Sequence, residues 1–294
     1  MTTRPAEIFD LGYRGWEGQR TSRWRRRHAI WRDGARISLG LGRGVGAKFA
    51  SWVLIGLALV PMVVLVVISA FLSPAQEAAD EFELPSYADY YDWALVPLSL
   101  FAAVVAPLLL CPDRRDGVLA LYAARPITST DYVGSRWTAF LTVCGAAAWL
   151  PVLVLFTWNA LDASSPDSWL RDNWDIAPRS MGAAAAVAVP LTTLSLLAAS
   201  FTKRRAYAAV ATLAVLLVGS AVGGIAEDSF KGAVADVLSL ASLSEVATDT
   251  VRWLFADEPQ TPPRPGWATA LWLAGVTLFM AVWLLQRTRQ LVRE

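Results

Sequence analysis

Six apolar runs constrain this chain more than anything else in it. They are Phe49 to Leu72, Trp93 to Pro112, Trp137 to Leu161, Ser180 to Thr202, Ala206 to Ala226 and Gly266 to Gln286, and none holds an acidic or basic side chain. At about 1.5 Å per residue each can cross a hydrocarbon core of roughly 30 Å. Lipid offers the backbone no hydrogen-bond partners, so spans of this length must be helices. The expected fold class is therefore an all-α polytopic membrane protein with six transmembrane helices. A hydrophobic content of 55% and a mean hydropathy of +0.41 agree with this. The expected division is a polar segment, 1–46, followed by a six-helix membrane domain, 47–294. Pro61, Pro97, Pro107, Pro151 and Pro190 fall inside spans, where neighbouring helices can satisfy the freed carbonyls.

Charge patterning orients the spans. With the N-terminus in the cytoplasm, 21 of the 26 Lys and Arg fall on the inner side and 17 of the 25 Asp and Glu on the outer side. This is the positive-inside arrangement, with both termini cytoplasmic. No cleavable signal peptide is expected, because the first apolar run starts only near Ala47. Lysines are confined to Lys48, Lys203 and Lys231 while arginine and alanine abound, which suits a GC-rich bacterial genome; with six spans, the expected location is a bacterial plasma membrane.

Residues 1–46 are basic. Trp24, His28, Trp31, Ala35 and Leu39 recur on one helical face, and Arg25, Arg26, Arg27, Arg32 and Arg36 occupy much of the rest. This predicts an amphipathic helix in the headgroup layer, with membrane lipids rather than nucleic acid as its partner. The alternating Gly40, Gly42, Gly44 and Gly46 read as a join to the first span.

A polar, basic segment, Asp113 to Trp137, separates the second and third spans. Gly117 to Ala124 can form two helical turns, with Asp113 and Asp116 at the N-terminal end and Pro126 as the stop. A short helix across the mouth of two spans suits a docking element; a plain turn accounts for the same spacing. On the outer side, Phe230, Val234, Val237, Leu238 and Ala241 predict one amphipathic helix and Ser244 to Phe255 a second, lying on the surface or dipping into the outer leaflet. They suit a gate or a structural cap. Gly219 and Gly223 form a GxxxG in the fifth span, which serves packing within one chain or across a dimer.

Catalytic and nucleotide-binding signatures are missing from the sequence. There is no G-x-x-x-x-G-K-[ST]. The single histidine, His28, leaves neither a histidine-rich metal cluster nor a base for Ser135. The two cysteines, Cys111 and Cys144, sit in apolar runs and form no disulfide framework. Asp113-x-x-Asp116-Gly117 resembles the opening of the CDP-alcohol phosphotransferase signature, but Leu121 follows Ala120 where that signature has Ala-Arg. Charge-free spans also disfavour an ion-coupled carrier.

Two stretches carry a more extensive resemblance. Ile8 to Arg20 (IFDLGYRGWEGQR) is similar to the N-terminal signature of many bacterial permease subunits of ABC transporters of the type-2 exporter class, with Trp16 at the second aromatic position. The loop resembles theirs at Asp116, Gly117, Leu119, Leu121, Arg125, Pro126, Ser129, Tyr132 and Arg136. The resemblance implies a non-enzymatic permease that pairs with a second permease chain, identical or related. Separate ATP-binding subunits, holding ATP and Mg²⁺, would dock beneath; no cofactor is expected in this chain. The loop would be the coupling helix, with Asp113, Arg114, Arg115 and Asp116 as polar contacts and Leu119, Leu121 and Tyr122 as the apolar knob, flanked by Gly117, Arg125 and Pro126. The competing reading is a membrane scaffold or assembly protein that transports nothing.

Overall fold

The computed structural model describes residues 22–42, 44–76, 86–118, 127–229, 233–256 and 265–291. Among these every regular element is an α-helix, and six helices are long and apolar enough to cross a membrane. The chain runs as α1 (Arg23–Ser38), α2 (Val45–Gln76), α3 (Tyr87–Val105), α4 (Pro107–Arg115), α5 (Ser129–Asp162), α6 (Pro166–Asp172), α7 (Ile176–Phe201), α8 (Arg205–Ser229), α9 (Ala233–Ser239), α10 (Leu243–Phe255) and α11 (Gly266–Leu291). The spans are α2, α3 with α4, α5, α7, α8 and α11.

Several helices run past the apolar stretches that announce them. The second span starts at Tyr87 and continues to Arg115, and the third starts at Ser129 rather than near Trp137. Their added turns carry Asp89 and Asp92 at one end of the bundle and Asp113, Asp131 and Arg136 at the other. Capping boxes open both helices. The Ser86 hydroxyl accepts from the Asp89 backbone N–H while Asp89 accepts from the Ser86 N–H. Thr128 and Asp131 make the same exchange, which satisfies donors that a helix N-terminus otherwise leaves unpaired. The second span breaks at Ala106, where Pro107 removes a backbone donor and starts α4.

α7 is the centre of the bundle. It packs on α5, α8, α10 and α11, and its apolar window is 72% buried, against 22% for α2 and α11. The face that α2 turns inward is narrow: Ser51, Ala58 and Leu65 are buried, each one heptad after the last, while Val53, Leu57, Val60 and Val63 are exposed. Such a stripe suits a peripheral helix with lipid on its other sides. The turn from α1 to α2 uses Gly40 and Gly42 in left-handed backbone (φ 66° and 78°), a conformation glycine adopts without steric penalty.

α10 does not lie flat on the end of the bundle. Val246, Ala247, Thr250, Val251 and Arg252 are buried, and the helix packs on α3, α7, α8 and α11. The α9–α10 turn seats on the glycine face of α8. A Cβ at Gly219 would lie 2.6 Å from the Ala241 carbonyl oxygen, and one at Gly223 would lie 2.6 Å from Glu245 Oε2. The GxxxG thus accommodates this chain's own backbone.

Candidate functional site

The clearest concentration of polar chemistry lies where α1, α4 and α5 meet, around the two ends of the loop expected to be the coupling element. Residues 119–126, which include Leu119, Leu121, Tyr122, Arg125 and Pro126, lie outside the described residues. Both anchorages of that loop are described.

Arg136, in the second turn of α5, is the hub. Its side chain is 2% exposed. Nη1 donates to Asp33 Oδ2 of α1 at 2.7 Å, and Nη2 donates to Asp113 Oδ2 of α4 at 3.0 Å. The Tyr132 hydroxyl donates to the same Asp113 oxygen at 2.5 Å, and the guanidinium lies 5.7 Å from the Tyr132 ring centroid. Gly34 lets α1 approach this closely, since a Cβ there would lie 2.8 Å from the Ala139 Cβ. One arginine therefore binds three helices. Its fork geometry allows this where a lysine ammonium would act as a point charge.

A second clamp sits a turn earlier. Asp131 closes the α5 capping box and also receives both arms of Arg23, from Nε at 2.9 Å and Nη2 at 3.0 Å; Arg27 Nε lies 3.6 Å away. The Arg23 side chain is 63% exposed, so solvent screens that pair. The Asp131 hydrogen bond and charge hold the Arg23 guanidinium above its ordinary pKa.

The α4 side of the loop is tied to α7. Arg114 Nη1 donates to the carbonyls of Ala199, Ser200 and Thr202 at 3.3, 2.6 and 3.0 Å. These lie at the C-terminal end of α7, where carbonyls lack helical partners and the macrodipole is negative. Arg115 and Asp116 remain exposed and pair with each other at 2.8 Å. The Arg115 hydrogen bond draws the Asp116 carboxyl below the usual range. Gly117 follows with φ 69°, turning the chain out of α4, and Val118 is the last described residue before the loop.

The four charges expected to face a partner thus divide. Asp113 and Arg114 are turned into the bundle, while Arg115 and Asp116 are on the surface. The amphipathic helix expected from Trp24 onward is present as α1, with a protein-facing stripe of Ile30, Gly34 and Ser38. Trp24 is 72% exposed, Trp31 is half-buried and stacks on His28 at 5.4 Å, and Arg25 is exposed beside half-buried Arg26.

The opposite end of the bundle repeats the device. Arg252 of α10 is 8% exposed. Its Nη2 donates to Asp92 and lies 3.5 Å from Asp89 Oδ1. Each end thus has a capping-box aspartate paired with an arginine from a helix packed beside the span. The S-x-x-D at Ser86 and the T-x-x-D at Thr128 signal both clamps in the sequence. Which arginine each aspartate holds depends on tertiary packing.

Among the described residues no group of three or more His, Cys, Asp or Glu could hold a metal ion. Cys111 and Cys144 are buried free thiols. Arg23, Arg136 and Arg252 each face carboxylates, and Arg114 faces the carbonyls at the end of α7, so these arginines join helices to one another. No protein-family model and no curated protein matches the chain.

Proposed function

We propose that the chain is the permease subunit of an ATP-driven exporter. It would form the substrate pathway with a second permease chain and couple through loop 119–126 to separate subunits that bind ATP and Mg²⁺. The resemblance at Ile8 to Arg20 and Asp113 to Arg136 names the class. The observation that carries the mechanism is the anchorage of the loop. Asp113, Arg114, Asp131 and Arg136 tie its two ends to α1, α5 and α7. A push on a loop held this way moves three helices together, whereas a freely hinged loop would absorb the stroke. On this reading the loop and α1 face the cytoplasm of a bacterial plasma membrane, with α1 at the inner headgroup layer and α9–α10 on the outer side; the positive-inside bias of the sequence supports that orientation.

The test is purification of the tagged chain from its native membrane in mild detergent. Recovery of a nucleotide-binding subunit with vanadate-sensitive ATPase activity supports the reading. Leu121→Asp with Tyr122→Asp is expected to abolish that association while leaving membrane insertion intact. Recovery without any ATPase, under conditions that preserve other ABC complexes, overturns it in favour of a scaffold.

A further inference from the structure

Phe279, Trp283 and Arg287 recur every four residues on α11 and so share one face, over about 12 Å of helix. The two aromatic rings on that face are tilted against each other at 5.9 Å. Trp283 also meets the ring of Phe201, the last residue of α7, edge-on at 5.5 Å. All three rings are exposed. They form a ridge on the flank of two spans, at the end of the bundle where Arg114 holds the last carbonyls of α7. Tryptophan at the end of a span marks the level where hydrocarbon gives way to headgroups.

The cation at the head of this ridge has no countercharge. Arg287 is half-buried. Its guanidinium lies 5.7 Å from the Phe201 ring centroid, and Nη1 donates to the neutral amide oxygen Gln290 Oε1 at 3.3 Å. Nε is enclosed by protein, whereas Nη2 is neither enclosed nor bonded to protein, so it is the nitrogen left for a ligand. Lys203 and Arg204, two and three residues beyond Phe201, are exposed. None of these three cations forms an ion pair among the described residues. The buried arginines of the two clamps are matched, Arg136 by Asp33 and Asp113, and Arg252 by Asp89 and Asp92. Withdrawing a charge from water without a match is costly, so Arg287 suits an anion brought from outside. An arginine that served topology alone would need only water around it.

We infer that this corner binds an anionic phospholipid, with its phosphate on Arg287 Nη2 beside the Lys203–Arg204 turn and one acyl chain along Trp283 and Phe279. The ridge decides between occupants. It runs down the apolar part of α11, where a free phosphate or a soluble acidic segment gains nothing from it, whereas a lipid uses both the cation and the rings. Uncompensated positive charge at the headgroup level favours a net negative headgroup over a zwitterion. The inference rests on the six helices spanning a membrane and not on an ATPase docking beneath.

The experiment uses the full chain in phosphatidylcholine nanodiscs doped with a lipid that carries a diazirine on one acyl chain, either phosphatidylglycerol or phosphatidylcholine. Irradiation and peptide mass spectrometry give the labelling ratio of the two lipids at 279–283 and at the exposed face of α2 around Val60. The ratio is expected to be about twentyfold higher at 279–283, from about fivefold for each of two cations at the headgroup. Arg287→Gln is expected to lower it about fivefold and Arg287→Lys to keep most of it. Arg25→Gln, which removes an exposed cation of α1, should leave it unchanged. Equal ratios in the two segments overturn the inference. So does an equal loss with Arg25→Gln, which means diffuse attraction to a basic surface. A ratio abolished by inorganic phosphate, but not by chloride at the same ionic strength, overturns it in favour of a free-anion site. The comparison between segments of the unmodified protein stands even where a variant fails to fold.

Discussion

The Arg136 Nη2 lies 3.0 Å from Asp113 Oδ2, joining residues 23 apart in sequence across the two ends of one loop. Around this pair the Tyr132 hydroxyl and the Asp33 carboxylate complete a network that belongs to three helices. Buried charge is retained in a protein only where it is matched, because desolvation is otherwise prohibitive. Removing one member leaves the others unmatched.

Arg136→Met is therefore expected to destabilise the protein by about 3–5 kcal/mol, the range for breaking a buried pair. Asp113 keeps the Tyr132 hydrogen bond but loses its countercharge. Arg136→Lys should recover only part of the loss, since an ammonium cannot bridge Asp33 and Asp113 with the same geometry. Thermal melts in detergent of both variants and of Asp113→Asn, combined as a double-mutant cycle, measure the coupling. Additive effects would show that the pair does not act as a unit.

Arg114 and Arg115 are neighbours with opposite fates. Arg114→Met removes three hydrogen bonds to the end of α7 and is expected to cost about 2 kcal/mol, as hydrogen bonds from charged groups do. Arg115→Met removes an exposed pair with Asp116 and should leave the melting temperature unchanged. On the proposed function the order reverses for partner binding, because Arg115 is on the surface. Melting curves and co-purification of the ATPase, measured on the same two variants, separate the roles. Equal melting temperatures would remove Arg114 from the anchorage.

What the sequence makes legible follows from the physics of each signal. Spans are plain because length and apolarity are local properties, and all six runs lie on helices. The positions of α1 and α10 follow from helical spacing. The polar clamps are harder to see because a span whose edge is drawn where its charges begin leaves Asp89, Asp92, Asp131 and Arg136 in loops. The helices continue through those residues and turn the charges onto protein. Capping boxes at Ser86 and Thr128 mark the true helix starts. Pairing Arg252 with Asp92, 160 residues away, has no local signal.

Arg252→Leu tests the far clamp. Its two carboxylate partners are on α3, 24–31% exposed, so solvent offsets part of the loss, and about 2 kcal/mol is expected. α10 would then lose its ion pairs to α3 and be held mainly by its apolar face. Amide hydrogen exchange across 243–255 should rise by a larger factor than exchange across α7. Equal changes in both segments would mean that the pair stabilises the whole bundle rather than docking α10.

The two glycines of α8 give unequal substitutions, and the inequality discriminates the packing described here from a dimer contact. At Gly219 an added methyl meets the Ala241 carbonyl oxygen at 2.6 Å, a backbone atom that can move only if the α9–α10 turn moves. At Gly223 the nearest atom, also at 2.6 Å, is the tip of the Glu245 side chain, which can swing aside. Overpacking a fitted contact costs about 1–3 kcal/mol, offset in both cases by the better helix propensity of alanine. Gly219→Ala is therefore expected to lower the melting temperature and Gly223→Ala to change it much less. A contact between copies would instead make the effect of Gly219→Ala depend on protein concentration in detergent. A loss of stability independent of dilution assigns the glycine face to the chain's own turn.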